Sequence, residues 1–496
     1  MMANPEPRDP LDLNLGDTPL IDQLGRSARS RGGPFHTPGH QRGEGASAIL
    51  RQAWGADVWR WDLPELPELD NLFAPEGVLA EAQTLAAQTF GADRTWFLVN
   101  GSTAGVIGAI MATCGPGDLI LLPRNVHQSA ITGLILTGAI PIFLEPAYDP
   151  AWDLVGCVTP ETVALGLERY PQARAVFLVS PTYQGLVADV AAIARVTHDR
   201  GIPLLVDEAH GAHLGFHPGL PPRALSQGAD LAVQSTHKVL SALTQAAMVH
   251  IRGDGVCGHR LSRALQLVQS TSPSYLLLAS LEGARHQMAT QGRDLMDGAL
   301  GLAHQARGVL GQVPGVRLWP QGSTVTLSAT WDPTRLVVDF TGLGLTGFEA
   351  DEALREGWQV TAELPALRHL TFLVTLGHIP QDMDRLGEAI TALSQNRSSC
   401  PPLAWSAPLP IALPLEAPPL SPRSAFFAPR ETVAWEQGID RLSAETICPY
   451  PPGIPWVLPG ERITPEVLAG LRQVRQLGGV LTGCADSNLE TLQVVR

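Results

Sequence analysis

Lysine is nearly missing from this chain. It occurs once, as Lys238, and every other basic residue except histidine is arginine. Arginine serves a surface as well as lysine does, so a compositional bias can clear most positions of lysine. It cannot clear one whose chemistry needs a primary amine, because a guanidinium stays charged and forms no imine under ordinary conditions. Long apolar runs are also missing: none reaches the roughly 18 residues that read as a membrane span. The opening MMANPEPRDPLDLNLGD is polar and acidic, with neither the basic nor the apolar stretch of a secretory leader, so a cytoplasmic protein is expected. An excess of basic charge is lacking too. Lys plus Arg is 34 against 48 for Asp plus Glu, a net charge of −14, which argues against a nucleic-acid partner and admits a cationic ligand. The six cysteines are scattered and none forms a C-x-x-C pair, so reduced thiols and no zinc site are expected.

What is present points to several domains. At 496 residues with 45% hydrophobic content, the chain exceeds one compact unit. Residues 1–75, rich in Pro, Gly and Trp, read as an irregular N-terminal segment. Residues 76–310 alternate helical patterns with short apolar runs: Trp96–Val99, Leu119–Leu122, Ile140–Leu144, Ala175–Val179, Pro203–Val206 and Leu231–Val233. That alternation predicts an α/β domain with a mostly parallel sheet under helices. A long helical pattern covers about 275–309. Residues 311–395 read as a smaller α/β unit, 396–422 as a Pro-rich linker and 423–496 as a C-terminal domain.

Three segments carry chemistry. Asn100-Gly101-Ser102-Thr103-Ala104-Gly105 follows a strand and opens a helix. Backbone amides and hydroxyls there make a phosphate site, although a Ser or Thr at such a junction serves equally as a plain N-cap. PLLVDEAHGAH puts Asp207 at the end of a buried run. A carboxylate there is costly unless paired, and a protonated pyridine nitrogen would pair it; a turn-capping Asp is the competing reading. DLAVQSTHKVL sets Ser235, His237 and the sole lysine after the next strand. Ligand groups of a parallel sheet gather at the carboxyl ends of its strands, so Asp207 and Lys238 are predicted to meet there.

With HTPGH at 36–40, FLVNGSTAG at 97–105, PTYQG at 181–185, SPRSAFFAPRETV at 421–433 and CPYPPGIP at 448–455 added, nearly the whole chain resembles the Orn/Lys/Arg decarboxylase family, in its short form without an N-terminal wing domain. The resemblance implies the aspartate-aminotransferase fold (fold type I), residues 76–310 as a pyridoxal-phosphate (PLP) domain, and α-decarboxylation of arginine, lysine or ornithine, a step in polyamine biosynthesis. It also implies roles. Lys238 would bond the cofactor, Asp207 would pair with its ring nitrogen, and His127 would stack on the ring opposite Ala209. Ser102, Thr103, Ser235 and His237 would hold the phosphate, with His210 in the same cofactor segment. A distal cation on the substrate calls for a carboxylate, and Glu445, then Glu363, are the candidates. The Pro-rich loop of the C-terminal domain would close the pocket. A homodimer or higher homo-oligomer is implied, with residues 272–275 serving the neighbour. The family pattern has lysine where this chain has Gln41 and Gln128.

Other motifs fall short. Ser235-Thr-His-Lys238 matches S-x-x-K, but the K-T-G that accompanies it in β-lactamases needs a second lysine. Gly342-Leu-Gly344-Leu-Thr-Gly347 matches G-x-G-x-x-G outside a dinucleotide setting and reads as a helix-start loop. His36/His40 and His210/His213 have metal-like spacing, yet Pro38 breaks the first pair's helix and the second lies in the cofactor segment, so no metal is expected. Two alternatives stay open: another PLP reaction on the same fold, such as α-oxoamine synthesis or transamination, and a PLP-binding regulatory protein without turnover.

Overall fold

The computed structural model describes residues 13–30, 32–323, 326, 328–397, 399–403, 415–450 and 453–496. Its centre is a seven-stranded sheet. In chain order the strands are β1 (Arg94–Leu98), β2 (Leu119–Pro123), β3 (Ile140–Leu144), β4 (Ala175–Val179), β5 (Leu204–Asp207), β6 (Leu231–Gln234) and β7 (Ala247–Ile251), arranged β1-β7-β6-β5-β4-β2-β3. Strands β3, β2, β4, β5 and β6 run parallel, whereas β7 pairs antiparallel with both β6 and β1. The apolar runs read from the sequence match the first six strands to within two residues at each end. The seventh, AMVHI, was not anticipated. It is buried throughout, and His250 within it satisfies its ring through Thr95 at 2.7 Å and Gln234 at 3.1 Å.

The N-terminal segment departs from the irregular reading. An α-helix, α1, spans Pro19–Arg29 and buries Leu20 and Leu24 in the same core as Leu278 and Leu281. Its first-turn amides, those of Leu20 and Ile21, donate to the carboxylate of buried Glu282 at 3.2 and 2.7 Å. Free amides at a helix start need an acceptor, and this one is supplied from more than two hundred residues away, out of reach of local pattern reading.

Helices α2 (Val78–Phe90), α3 (Gly101–Thr113) and α4 (Gln128–Thr137) follow, and α5 (Val190–His198) leads into β5. A long helix, α6 (Tyr275–Leu310), joins two cores. Tyr275, Leu278 and Leu281 pack with the large domain, while Ala303, Ala306 and Leu310 pack with the next unit. That unit is a four-stranded antiparallel sheet of β8 (Arg317–Leu318), β9 (Arg335–Asp339), β10 (Leu364–Pro365) and β11 (His369–Leu373), in the order β8-β9-β11-β10. The G-x-G-x-x-G stretch opens helix α7 (Gly347–Trp358) through a capping box between Thr346 and Glu349. Gly344 sits at φ +71 with a Pro401 carbonyl where a Cβ would be, so the motif serves a turn and a close chain approach. Of the anticipated Pro-rich linker at 396–422, residues 398 and 404–414 lie outside the described residues. The C-terminal unit pairs Arg430–Ala434 with Thr491–Val495, and a helix at Pro465–Gln476 buries its Leu468, Leu471 and Val474 in a core with Trp435, Ile447 and Leu492.

Candidate active site

Strands β5 and β6 are parallel neighbours, with Asp207 opposite Val233. Asp207 ends β5. Ser235, His237 and Lys238 follow β6 directly. Helix α3 starts above the same edge, because Gly105 lets it press onto the sheet: a Cβ there would stand 2.6 Å from Val233 Cγ1 and 2.8 Å from Leu98 Cδ1. Its first turn holds Gly101, Ser102 and Thr103 and no acidic residue, leaving amides and the helix dipole for an anion. The Ser235 hydroxyl donates to Ser102 Oγ at 2.7 Å, tying the two segments together.

These groups surround one cavity of about 230 Å³. Lining it are Ser102, Thr103, His127, Asp207, Ala209, His210, Ser235, His237 and Lys238, all of them residues singled out from the sequence. Sequence reasoning gave no role to Tyr183, which also lines it and whose ring lies 4.7 Å from that of His210. The signal was the PTYQG segment, which the family resemblance already contained. Pro181 and Val179 complete that wall.

Burial governs the charges. It pushes the Asp207 carboxyl up, while nearby Lys238 and the Ala209 amide, which donates to Asp207 at 3.1 Å, pull it back down. It pulls the Lys238 amine down, against Asp207 and Glu363, and Arg335 adds to the lowering. His127 caps α4: its Nδ1 accepts the Ser129 amide at 3.2 Å and lies 2.8 Å from the Ser129 hydroxyl. Burial, then the charge of Lys238, push His127 down to about 4. A neutral ring that accepts at Nδ1 carries its proton on Nε2. Burial also lowers His237, whose Nδ1 lies 3.0 Å from the Ala246 carbonyl.

The two carboxylates proposed for a substrate cation have different surroundings. Glu445 is committed to the C-terminal unit, where its two oxygens accept the amides of Gln493 and Ala485, each at 2.8 Å. Glu363 is exposed just before β10, and its charge acts on Lys238, His237 and Arg335. The structure therefore brings Glu363, and not Glu445, into the electrical field of the cavity. Of the loop expected to close the pocket, 451–452 lie outside the described residues. Ile454 and Pro455 face a separate cavity beside Arg124. The histidines with metal-like spacing are engaged otherwise: His40 with Asp62 at 3.1 Å and His213 with Asp332 at 2.9 Å.

The donor set suits pyridoxal phosphate. A buried carboxylate without a contacting cation among the described residues, an amine held in a low-dielectric cavity and an anion-ready helix start with hydroxyls are what its ring nitrogen, aldehyde and phosphate require.

Comparison with known proteins agrees over the full length. Residues 18–336 match the family model described as Orn/Lys/Arg decarboxylase, major domain, and residues 418–483 match that of its C-terminal domain. The chain is 38% identical to an arginine decarboxylase of Bacillus subtilis, covering 98% of this chain and 99% of that one. It is 37% identical to an arginine decarboxylase of Halalkalibacterium halodurans, covering 97% and 98%. Among solved structures, the constitutive lysine decarboxylase of E. coli superposes with a TM-score of 0.81 at 21% identity, over 97% of this chain and 82% of that one, which is a likeness of fold.

Proposed function

The chain belongs to the Orn/Lys/Arg decarboxylase family, and on that footing we propose that it removes the α-carboxylate of a basic amino acid, arginine foremost, with pyridoxal phosphate as cofactor. One observation carries the reading: the only lysine of the chain shares a cavity with a buried carboxylate, a neutral histidine and a hydroxyl-lined helix start. Arginine comes first because full-length relatives bear that activity in their names.

When bound, the cofactor supplies an electron-withdrawing ring that takes up the charge left on the α-carbon as CO₂ departs. The protein does the rest. Lys238 provides the amine that anchors the cofactor's aldehyde. Asp207 keeps the ring nitrogen protonated, a cation its own burial demands. Ser102, Thr103, Ser235, His237 and the first turn of α3 hold the phosphate. His127 and Ala209, which line the cavity, would lie against the ring if it bound there, and Tyr183 closes the wall beside them. Glu363 attracts the distal cation of the substrate. The product is the corresponding amine, a polyamine precursor.

The working form in this proposal is a homodimer or larger homo-oligomer in the cytoplasm. Of residues 272–275, the segment meant for a neighbour, Ser272 is exposed, whereas Pro273 is buried and Tyr275 is buried in this chain's own core with its hydroxyl donating to the Leu69 and Asp70 carbonyls. Among the described residues no helix is long and apolar enough to cross a membrane.

Two measurements test the proposal. The first is amine and CO₂ release from arginine, lysine and ornithine. Release from none of them sinks the assignment; coenzyme-A-dependent condensation would move it to α-oxoamine synthesis, and bound cofactor without turnover to a regulatory protein. The second is borohydride reduction of the loaded protein followed by peptide mapping. Label should fall on Lys238, and label confined to the N-terminal amine would remove it from its role.

A further inference from the structure

The Nζ of Lys238 lies 2.9 Å from Nε2 of His210. Asp207 and Glu363 act on Lys238 through charge, without an ion-pair contact. His210 is itself buried, held between the lysine and the Tyr183 ring, and its main-chain carbonyl accepts from Arg335 Nη2 at 2.9 Å. Its other ring nitrogen, Nδ1, is buried without a hydrogen-bond partner among the described residues. A ring so placed has one nitrogen open to exchange, the one facing the lysine.

We propose that His210 and Lys238 form a proton-sharing pair, in which Nε2 of His210 takes a proton from the incoming amine of the substrate and delivers it to Nζ as the lysine nitrogen is displaced. This rests on the reading of Lys238 as the cofactor lysine. The exchange needs such a carrier because an amine adds to the carbon that bears the lysine nitrogen only when its own lone pair is free, while the displaced lysine nitrogen must regain hydrogen. The carbon's bond to the substrate nitrogen forms and its bond to Nζ breaks, while one N–H bond breaks at the neutral substrate amine and one forms at Nε2; that bond then breaks as another forms at Nζ, which leaves as a free amine. No electrons are exchanged with an outside partner.

The surroundings make the ring a carrier and not a store. Burial, Lys238 and Arg335 all disfavour a second proton on His210, with His127 and His213 adding to them. Asp207 and Glu363 favour the proton on the lysine, so it returns there. Arg335 is fixed by Asp332 at 3.3 Å and holds the backbone of His210, which aims the imidazole at Nζ.

The single lysine allows a direct test. In cofactor-free protein, competitive acetylation across pH, read on the Lys238 peptide, reports the protonation of that one side chain. His210→Phe removes the acceptor and should lower the apparent pKa of Lys238, whereas His210→Gln keeps an acceptor and should hold it near the parent value. In loaded protein, the rate at which the product-type amine displaces the lysine, followed by absorbance, should drop at least tenfold in both variants, since neither side chain can take up a proton. Parent-like displacement in His210→Gln would overturn proton transfer. An unchanged lysine pKa in His210→Phe would overturn the contact itself. If the Phe variant does not fold, the displacement rate in the Gln variant still decides. Failure of the underlying reading looks different: borohydride label would then miss Lys238 altogether.

Discussion

A carboxylate exposed to only 6%, as Asp207 is, costs several kcal/mol to keep ionised unless a cation meets it. Lys238 supplies part of that charge from a distance, and a protonated ring nitrogen would supply the rest. Asp207→Asn should therefore retain cofactor but lower kcat by roughly a hundredfold or more, as loss of one charge-stabilising group in a dry site does; a parent-like kcat measured with saturating arginine would remove Asp207 from the mechanism. Glu363 is exposed, so its pull is screened and should be modest. Glu363→Gln should raise KM for arginine several-fold at low ionic strength and less at high. Its charge also favours the ammonium form of Lys238, so the variant should show a lower apparent pKa for that lysine, and no movement of either quantity would leave the residue structural.

Elements place these residues by close packing. Helix α3 can offer its first turn to the cavity only because Gly105 has no side chain, with Val233 and Leu98 already filling the space a Cβ would take. Gly105→Val forces the helix away from β6, the strand that leads to Ser235 and Lys238. A loss of about 1–3 kcal/mol is expected for such overpacking. Because the two sides of the proposed phosphate cradle would move apart, cofactor retention should fall further than melting temperature alone suggests. Dialysis followed by absorbance, compared with thermal melts, checks this; parent-like retention alongside a lowered Tm would separate α3 from phosphate binding.

At the scale of the molecule, the cavity depends on the other units. Asp332 and Arg335 come from the small domain and meet His213 of the large one, all three fully or almost fully buried. Gly185 at φ +87 leaves room for the arginine, since a Cβ would stand 2.5 Å from its Cγ. On the other side, Arg124, three residues before His127, donates to the carbonyls of Pro455 and Trp456 and to Glu461, fastening the C-terminal unit to the loop that carries His127. Burial alone would push Asp332 up, but the charge and hydrogen bond of His213, then Arg335, hold it well below the usual carboxylate range. A carboxyl whose folded pKa is depressed adds stability above its unfolded value, about 3.9, and loses it as pH falls toward the folded value. Asp332→Asn leaves Arg335 buried without its anion and should cost about 3–5 kcal/mol at neutral pH. Its stability should also change less than that of the parent below about pH 4, where the unfolded parent begins to protonate this carboxyl while the folded one does not. Chemical denaturation across pH measures both, and parallel curves for parent and variant would refute the linkage.

Much of the site was legible in the sequence because its chemistry sits at the ends of continuous apolar runs. Leu204–Asp207 and Leu231–Gln234 are buried along their whole length, so their last polar residues had to emerge at one sheet edge, and the lone lysine just beyond them marks where a primary amine is needed. The order of strands was not legible. Strand β7 enters between β1 and β6 in the opposite direction, a choice made by long-range pairing that no local pattern encodes. The same holds for Glu282 capping α1, for Arg335 reaching the carbonyl of His210, and for the choice between Glu363 and Glu445. Sequence alone determined which residue types carry the chemistry, because an amine, a carboxylate and hydroxyls have no substitutes for those tasks. Tertiary structure decided which charges act on them, because Coulomb forces and desolvation depend on distance and burial, and these exist only once remote segments have packed together.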